Sequence, residues 1–426
     1  MRKRTWLISV VWVVWLIGAQ ATVYAEEQSA ESLFGGDRGN WHPSLGLSGY
    51  WTDNLFNTAD NEKSDYVAAV SPGLWLAFPA RFDKPASVPT VNNAAGGMAY
   101  SMMDDMTEYG LYQIYASYTA DLFYYDEYSD ENFTAQKAEA KLGFYPGPKT
   151  RIELSHVYDD NREDFGVGES SPDQDDKYTG NLTTLTTGYQ LTPKLNLQAL
   201  GSFYKLDYDE SFSAFRERED WTFGGKITFE LTPKLDLFGE YEYVDTDYDS
   251  DDELDSEENK FYAGVTWSIT DKTRGLAKVG YNNKEYDGDV SDEDELQFEV
   301  QLDYRFSPKT AMRLNALRYL NETDTAGTTG RLTHEVNADL RYQLAQKVST
   351  NLKAGWLNDD YEGEITVGTD TDSRDDDYLN AQVDLTWQAL QWLELTCGYS
   401  WEDRDSNFDV FDYTTNTLFV SLTGAL

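Results

Sequence analysis

A short turn signal recurs along most of this chain and constrains its architecture more than any other feature. The copies read Gly147-Pro148-Lys149, Thr192-Pro193-Lys194, Thr232-Pro233-Lys234, Thr270-Asp271-Lys272, Ser307-Pro308-Lys309, Ala345-Gln346-Lys347 and, degenerately, Leu390-Gln391-Trp392. They are spaced by 37 residues (Lys272 to Lys309) to 45 residues (Lys149 to Lys194). Proline presets the turn dihedral and cannot sit in a central strand, so each copy ends one strand and starts another. Between copies lie an alternating run, a loop thick with Asp, Glu, Asn and Gly, and a second alternating run. Each repeat therefore reads as one hairpin. A propeller or a solenoid would also repeat at such a period.

Two aromatic rows separate these possibilities. Five residues before the last residue of each turn stand Phe144, Tyr189, Phe229, Trp267, Tyr304, Tyr342 and Trp387. Nine residues after it stand Tyr158, Phe203, Tyr243, Tyr281, Arg318, Trp356 and Trp401, six of them aromatic. Both offsets are odd, so both rows share the face of the apolar strand positions. Nine residues at about 3.3 Å each, tilted by roughly 40°, rise about 23 Å, close to the height of the apolar band of a membrane barrel. The rows read as interfacial girdles on a lipid-facing surface. Starting from Leu45–Asn54 and Tyr66–Phe78, then Leu111–Tyr125 and Asn132–Tyr145, and ending at Tyr413–Leu426, the hairpins sum to about eighteen strands. The expected fold is an all-β transmembrane antiparallel β-barrel with short periplasmic turns and long acidic extracellular loops. Mean hydropathy of −0.61 does not oppose it, because alternation averages a lipid face against a polar one.

The N-terminus agrees with that destination. Arg2-Lys3-Arg4, an apolar run from Trp6 to Ile17 and small residues before Ala25 form a secretory signal peptide over 1–25. A run of about a dozen residues falls short of the roughly 20 that a spanning helix needs. The expected order is then a periplasmic N-terminal segment at 26–43 and a barrel at 44–426. One connection breaks the hairpin rule: residues 79–108, rich in Pro, Ala, Asn, Gly, Met and Asp, stand where a tight periplasmic turn belongs. Such a segment is expected to be a periplasmic linker, to dock a periplasmic partner or to fold into the lumen.

Parity assigns a polar set to the lumen: Lys141, Arg151, Glu240, Arg274, Lys278, Glu299, Asp303, Arg305, Arg313, Asp339, Arg341 and Asp384, with the two signs nearly balanced. Tyr109, Tyr115, Tyr204, Phe238, Tyr262 and Tyr319 point the same way and would either stack against sugars or fill space between charges. The formal charge of −42 then belongs mostly to the exterior loops, densest at 245–258 and 370–377, and opposes nucleic-acid binding. Asp247, Asp249, Asp251, Asp255 and Glu258 approach calcium-loop spacing, but Asp252 replaces the glycine that such a turn needs. The expectation is a solvated acidic rim, loosely bridged by divalent cations among surface glycolipids, with no cofactor and no dedicated metal site.

Little in the chain reads as catalytic. His156 and His334 fall on the lipid face, His42 precedes the first strand, and the single cysteine, Cys397, faces lipid and forms no intrachain disulfide. Ser155 beside His156 resembles an outer-membrane phospholipase in outline only, since the two side chains point to opposite faces.

The first hairpin carries a family likeness. It reads His42-Pro43-Ser44-Leu45, Trp51-Thr52-Asp53-Asn54-Leu55-Phe56, Lys63-Ser64-Asp65 and Ser71-Pro72-Gly73-Leu74. This resembles the putative β-barrel porin 2 family, in which Asp53, Asn54, Asp65, Pro72 and Gly73 would be family markers. The resemblance implies an outer-membrane barrel that often accompanies exopolysaccharide synthesis and export. The C-terminus departs from the usual aromatic ending of such barrels, leaving the alternating Leu418, Val420, Leu422 and Leu426 as the expected insertion signal. The leading expectation is a conduit for saccharide or exopolysaccharide, with periplasmic export machinery and a saccharide polymer as partners. A mildly cation-preferring diffusion porin and a non-conducting scaffold or adhesin are the alternatives.

Overall fold

The computed structural model describes residues 40–80, 84, 87–98, 110–167, 176–250, 253–288 and 290–425. The expected signal peptide and most of the segment at 26–43 lie outside them. Eighteen strands run in chain order: β1 (Trp41–Thr52), β2 (Asp65–Phe78), β3 (Tyr112–Tyr125), β4 (Phe133–Gly147), β5 (Thr150–Arg162), β6 (Lys177–Thr192), β7 (Leu195–Tyr208), β8 (Arg218–Thr232) and β9 (Leu235–Tyr248). They continue with β10 (Ser256–Thr270), β11 (Thr273–Tyr286), β12 (Glu293–Ser307), β13 (Thr310–Glu322), β14 (Gly330–Ala345), β15 (Val348–Glu362), β16 (Asp375–Leu390), β17 (Leu393–Ser406) and β18 (Tyr413–Ala425). Each strand pairs antiparallel with the next, and β1 pairs with β18 from Ser44↔Ala425 to Thr52↔Thr417, closing the sheet into a barrel. A small hairpin, Ile365–Val367 with Asp370–Asp372, decorates the loop between β15 and β16.

The turn repeat has a concrete geometry. At all seven copies the strands meet across a two-residue loop preceded by a register shift, as in Thr192↔Leu195, Thr232↔Leu235 and Ser307↔Thr310. The Thr or Ser that opens the turn accepts a hydrogen bond from the lysine amide, at 3.2–3.3 Å for Lys194, Lys234, Lys272 and Lys309. That contact is the reason a hydroxyl residue precedes Pro-Lys.

The first strand starts earlier than the sequence suggests, at Trp41 rather than Leu45, and takes residues 41–43 from the expected periplasmic segment. In the structure Pro43 pairs with Leu74 of β2 only, because the β18 ladder begins one residue later at Ser44. A missing N–H is tolerated on the side that has no neighbour. His42, which was placed before the strand, lies within it and stacks on Trp75 at 3.6 Å.

Burial alternates along the strands with period two. One face carries exposed apolar residues such as Leu142, Ile152, Leu154, Leu185, Ile227 and Val279, and the other carries buried polar ones. Both aromatic rows lie on the first face: Phe144, Tyr189, Phe229, Tyr342, Trp387, Tyr281 and Trp356 are exposed, and Trp267, Tyr304, Tyr158, Phe203, Tyr243 and Trp401 are half-buried. A charge introduced between the rows should therefore meet hydrocarbon. Leu154→Arg is expected to lower folding stability in lipid vesicles by about 2–4 kcal/mol, read from urea refolding curves, and an unchanged curve would mean that the assigned face is wrong.

Candidate functional site: a charge-lined lumen crossed by an inner segment

The lumen-facing set is arranged as ladders of alternating sign. Lys278 Nζ lies 3.4 Å from Glu240 and 3.3 Å from Glu299, while Lys226 reaches the same Glu240 at 3.6 Å. A second ladder joins Lys260 to Glu258 at 2.6 Å and Lys284 to Glu322 at 2.7 Å. Lys141 pairs with Glu153 and Arg313 with Asp303. By register Arg274 also lies opposite Asp303, and Asp339 lies opposite both Arg313 and Lys353. Arg274, Arg305 and Arg341 are exposed near the turn end of their strands, Arg151 is half-buried, and Asp384 is buried and accepts from Gln382 at 3.1 Å. Ionised groups are this deeply buried only when they are paired.

The inward aromatics support these charges rather than standing free. Lys278 lies 4.5 Å above the Tyr262 ring, and Lys226 lies 4.5 Å above Phe238. Tyr115 and Tyr204 are buried, Tyr319 donates to Glu335, and Tyr109 lies outside the described residues.

Residues 87–98 occupy the interior. Ser87 donates to Glu139 on β4, Thr90 to Asp159 on β5 at 3.1 Å, and Asn92 to Glu163 at 2.8 Å. Met98 meets Thr184 on β6, and the Tyr204 hydroxyl on β7 donates to Asn92. On β8, Arg218 donates to the carbonyls of Asn92 and Ala94, and Asp220 accepts from the Gly96 amide at 2.9 Å. On the far side the Glu322 amide, on β13, donates to Asn93 at 2.7 Å. A segment that touches β4 to β8 and also β13 can do so only from inside the cylinder. The described residues 87–98 of the connection therefore lie among lumen-facing side chains. This stretch lies level with the outer aromatic row, since Tyr204 follows Phe203 and Asp159 follows Tyr158. Gly97, at φ +64°, seats it: a Cβ there would stand 2.2 Å from the Tyr204 ring.

Above this strap the mouth is roofed by arginines that the sequence reading passed over. Arg216 pairs with Asp176 at 2.9 Å and Glu163 at 2.8 Å, and lies 4.3 Å over Tyr208. Arg374 pairs with Asp376 at 2.6 Å and lies 3.9 Å over Phe411, while Arg162 pairs with Glu131 at 3.1 Å. The expectation that the acids of 370–377 are solvated fails at Asp376, which is fully buried. Asp176 is buried as well, and burial pushes its carboxyl up to about 6 against the pull of Arg216. A signal that could have found two such pairs is Arg-x-Asp at the head of a strand, Arg218 with Asp220 and Arg374 with Asp376, because extended residues two apart share a side. The calcium-like spacing does not assemble either. Glu258 is held by lysines, Asp255 accepts from the Tyr248 amide at 2.7 Å, and Asp251 lies outside the described residues. Among the described residues no group of three His, Cys, Asp or Glu is placed to hold a metal ion.

Of the five marker residues, Asp53 and Asn54 stand at the closing seam and Asp65, Pro72 and Gly73 lie on β2. Asp53 accepts from the backbone and side-chain amides of Asn416, both at 2.7 Å. Asn54 donates to the carbonyls of Thr58 and Thr414. Asp65 accepts from the amides of Tyr66 and Glu127 at 2.7 and 3.0 Å. Pro72 is exposed opposite Leu45, and a Cβ on Gly73 would stand 2.7 Å from the Ser44 hydroxyl. His156 is exposed and meets Thr183 at 2.9 Å, away from Ser155. Cys397 is exposed on the outer face, in an apolar groove of about 840 Å³ with Trp51, Leu385 and Leu418.

A family model described as "Putative beta-barrel porin 2" matches residues 106–426. The chain belongs to that family. It is an outer-membrane β-barrel of the porin type, located in the cell outer membrane, and the match begins after the five marker positions of the first hairpin. A comparison with curated proteins finds no match. Among solved structures, OccAB4 of Acinetobacter baumannii is similar at 13% identity, with 91% of this chain and 98% of that one covered and a TM-score of 0.49. OccK3 (OpdO) of Pseudomonas aeruginosa is similar at 12% identity, with 94% and 98% covered and a TM-score of 0.45.

The seat of the strap generates a direct prediction. Gly97→Val adds a branched side chain where Tyr204 already stands, and overpacking of this kind costs about 1–3 kcal/mol. The strap should leave its seat and single-channel conductance should rise in a planar bilayer. An unchanged conductance would show that residues 87–98 do not narrow the path.

Proposed function

We propose that this porin-type barrel is a conduit for uncharged, polyhydroxylated solutes, saccharides above all, and that an exopolysaccharide chain leaving the cell is its cargo. The observation that carries the reading is the internal neutralisation of the lumen wall. Lys226, Lys260, Lys278 and Lys284 each touch carboxylates on neighbouring strands, so little net field is left for a mobile ion. What remains is a lining dense in donors and acceptors, which suits hydroxyl-bearing solutes that exchange water for wall contacts without meeting a strong charge. The negative excess stays at the outer mouth, where it disfavours anions approaching from outside.

The strap adds selectivity. By occupying part of the lumen it would narrow the path and favour slender, hydroxyl-bearing solutes. Periplasmic export machinery is the proposed contact that draws the strap aside. The test is swelling of proteoliposomes in neutral sugars against charged solutes of matched size, with reversal potentials measured in parallel. Neutral mono- and disaccharides should enter faster than matched ions, with weak cation preference. Strong cation selectivity without sugar uptake would replace this reading by a general cation-preferring porin, and the absence of any conductance or uptake would favour a surface scaffold.

A further inference from the structure

The short turns carry a pattern that passage through the lumen does not use. Six of them end in lysine, at Lys149, Lys194, Lys234, Lys272, Lys309 and Lys347, and all six side chains are exposed. In a chain of formal charge −42 the three-residue turn signals hold one acidic residue, Asp271. The backbone fixes these lysines at one level. Each lysine carbonyl accepts a hydrogen bond from a later strand of the sheet, from Gln190, Glu230, Ser268, Arg305, Gln343 and Gln388 in turn, at 2.8–3.0 Å. Lys234 and Lys347 also donate to the Ile269 and Ala389 carbonyls, which holds these two ammonium groups along the rim. None of the six has an ion-pair partner among the described residues.

The residues next to them show what this rim faces. Leu191, Leu231, Ile269, Phe306 and Leu344 are exposed on the lipid side immediately before their turns, one step beyond the inner aromatic row. The ammonium groups therefore stand just past the last hydrocarbon contact, at the level of lipid headgroups. Adjacent turns are two strands apart, about 10 Å, close to one Debye length at physiological salt. Repulsion between neighbouring lysines is thus largely screened, while each still reaches an anion beside it.

We propose that this lysine arc binds the phosphates of anionic phospholipids in the periplasmic leaflet. Lysine stems lie along apolar surface and carry the charge into the headgroup layer, and each basic group near an anionic surface adds attraction. The acidic loops at the other end repel the same lipids, so the two ends of the barrel differ in lipid preference and the arc sets its depth and tilt. The seventh turn, which ends in the exposed Trp392, supplies an interfacial aromatic in place of the charge.

The full chain would be assembled in nanodiscs of phosphatidylethanolamine and phosphatidylglycerol in equal parts, and the lipids retained after release would be counted by native mass spectrometry. The comparison is a variant with Lys149→Gln, Lys194→Gln, Lys234→Gln and Lys309→Gln, whose folding is checked by heat-modifiable gel mobility. The wild type should enrich phosphatidylglycerol by about fivefold for each lysine that holds a headgroup, and the variant should lose that enrichment. Equal enrichment in the two proteins would overturn the proposal. So would competition by millimolar inorganic phosphate, which would make the site one for soluble phosphate, or lipid indifference combined with lysine-dependent capture of an acidic periplasmic protein.

Discussion

Everything in this molecule depends on one requirement: in the hydrocarbon layer every backbone N–H and C=O must find a partner within the protein. An open sheet would leave two edges unsatisfied, and β1 meeting β18 over Ser44 to Thr52 removes both. The closure carries more side-chain bonding than a plain ladder would need. Asp53 grips Asn416 and Asn54 reaches Thr414. Asp53 and Asn54 join the end of the first strand to an element more than 300 positions away, which is the most expensive loop to close in the unfolded chain. Fixing the seam with half-buried, directional hydrogen bonds sets its register, and a slip of one residue would turn the lipid-facing side chains of the slipped strand inward.

Closure then decides what happens to charge. A cylinder of eighteen strands has an interior too wide for side chains alone to fill, yet the ladders from Lys226 to Glu299 and from Lys260 to Glu322 draw the wall groups together. The arginines near the mouth do the same against Asp176, Asp220 and Asp376, with aromatic rings beneath them. Buried pairs of this kind add little net stability, but losing one partner costs about 3–5 kcal/mol because the other is left stranded. The wall is thus intolerant of single charge changes while presenting little net charge to whatever passes.

The legible part of this structure was the part governed by local periodicity. The Pro-Lys turns and the rows through Trp387 and Trp356 gave the strand number, the hairpin order and the lipid face, since each depends on spacing within one hairpin. Burial of the lumen charges was less visible. Parity shows that Lys278 and Glu240 point inward, but their contact at 3.4 Å depends on the stagger between strands 38 residues apart. The seating of residues 87–98 had no periodic signal at all. It rests on scattered single contacts from Glu139, Asp159, Tyr204, Arg218 and Glu322, each on a different strand, and only the closed barrel brings those five side chains or backbone groups around one segment.

That inner segment sets the proposed conduit apart from a plain porin, and disulfide trapping addresses its place most directly. Thr90 Oγ1 lies 3.1 Å from Asp159 Oδ2 across the lumen wall. With Cys397→Ser as background, Thr90→Cys and Asp159→Cys should form a disulfide under mild oxidation in intact outer membranes, and residue 90 should resist maleimide until reduction. Failure to cross-link, with residue 90 freely labelled from the periplasmic side, would place the segment outside the barrel and contradict the lumenal strap.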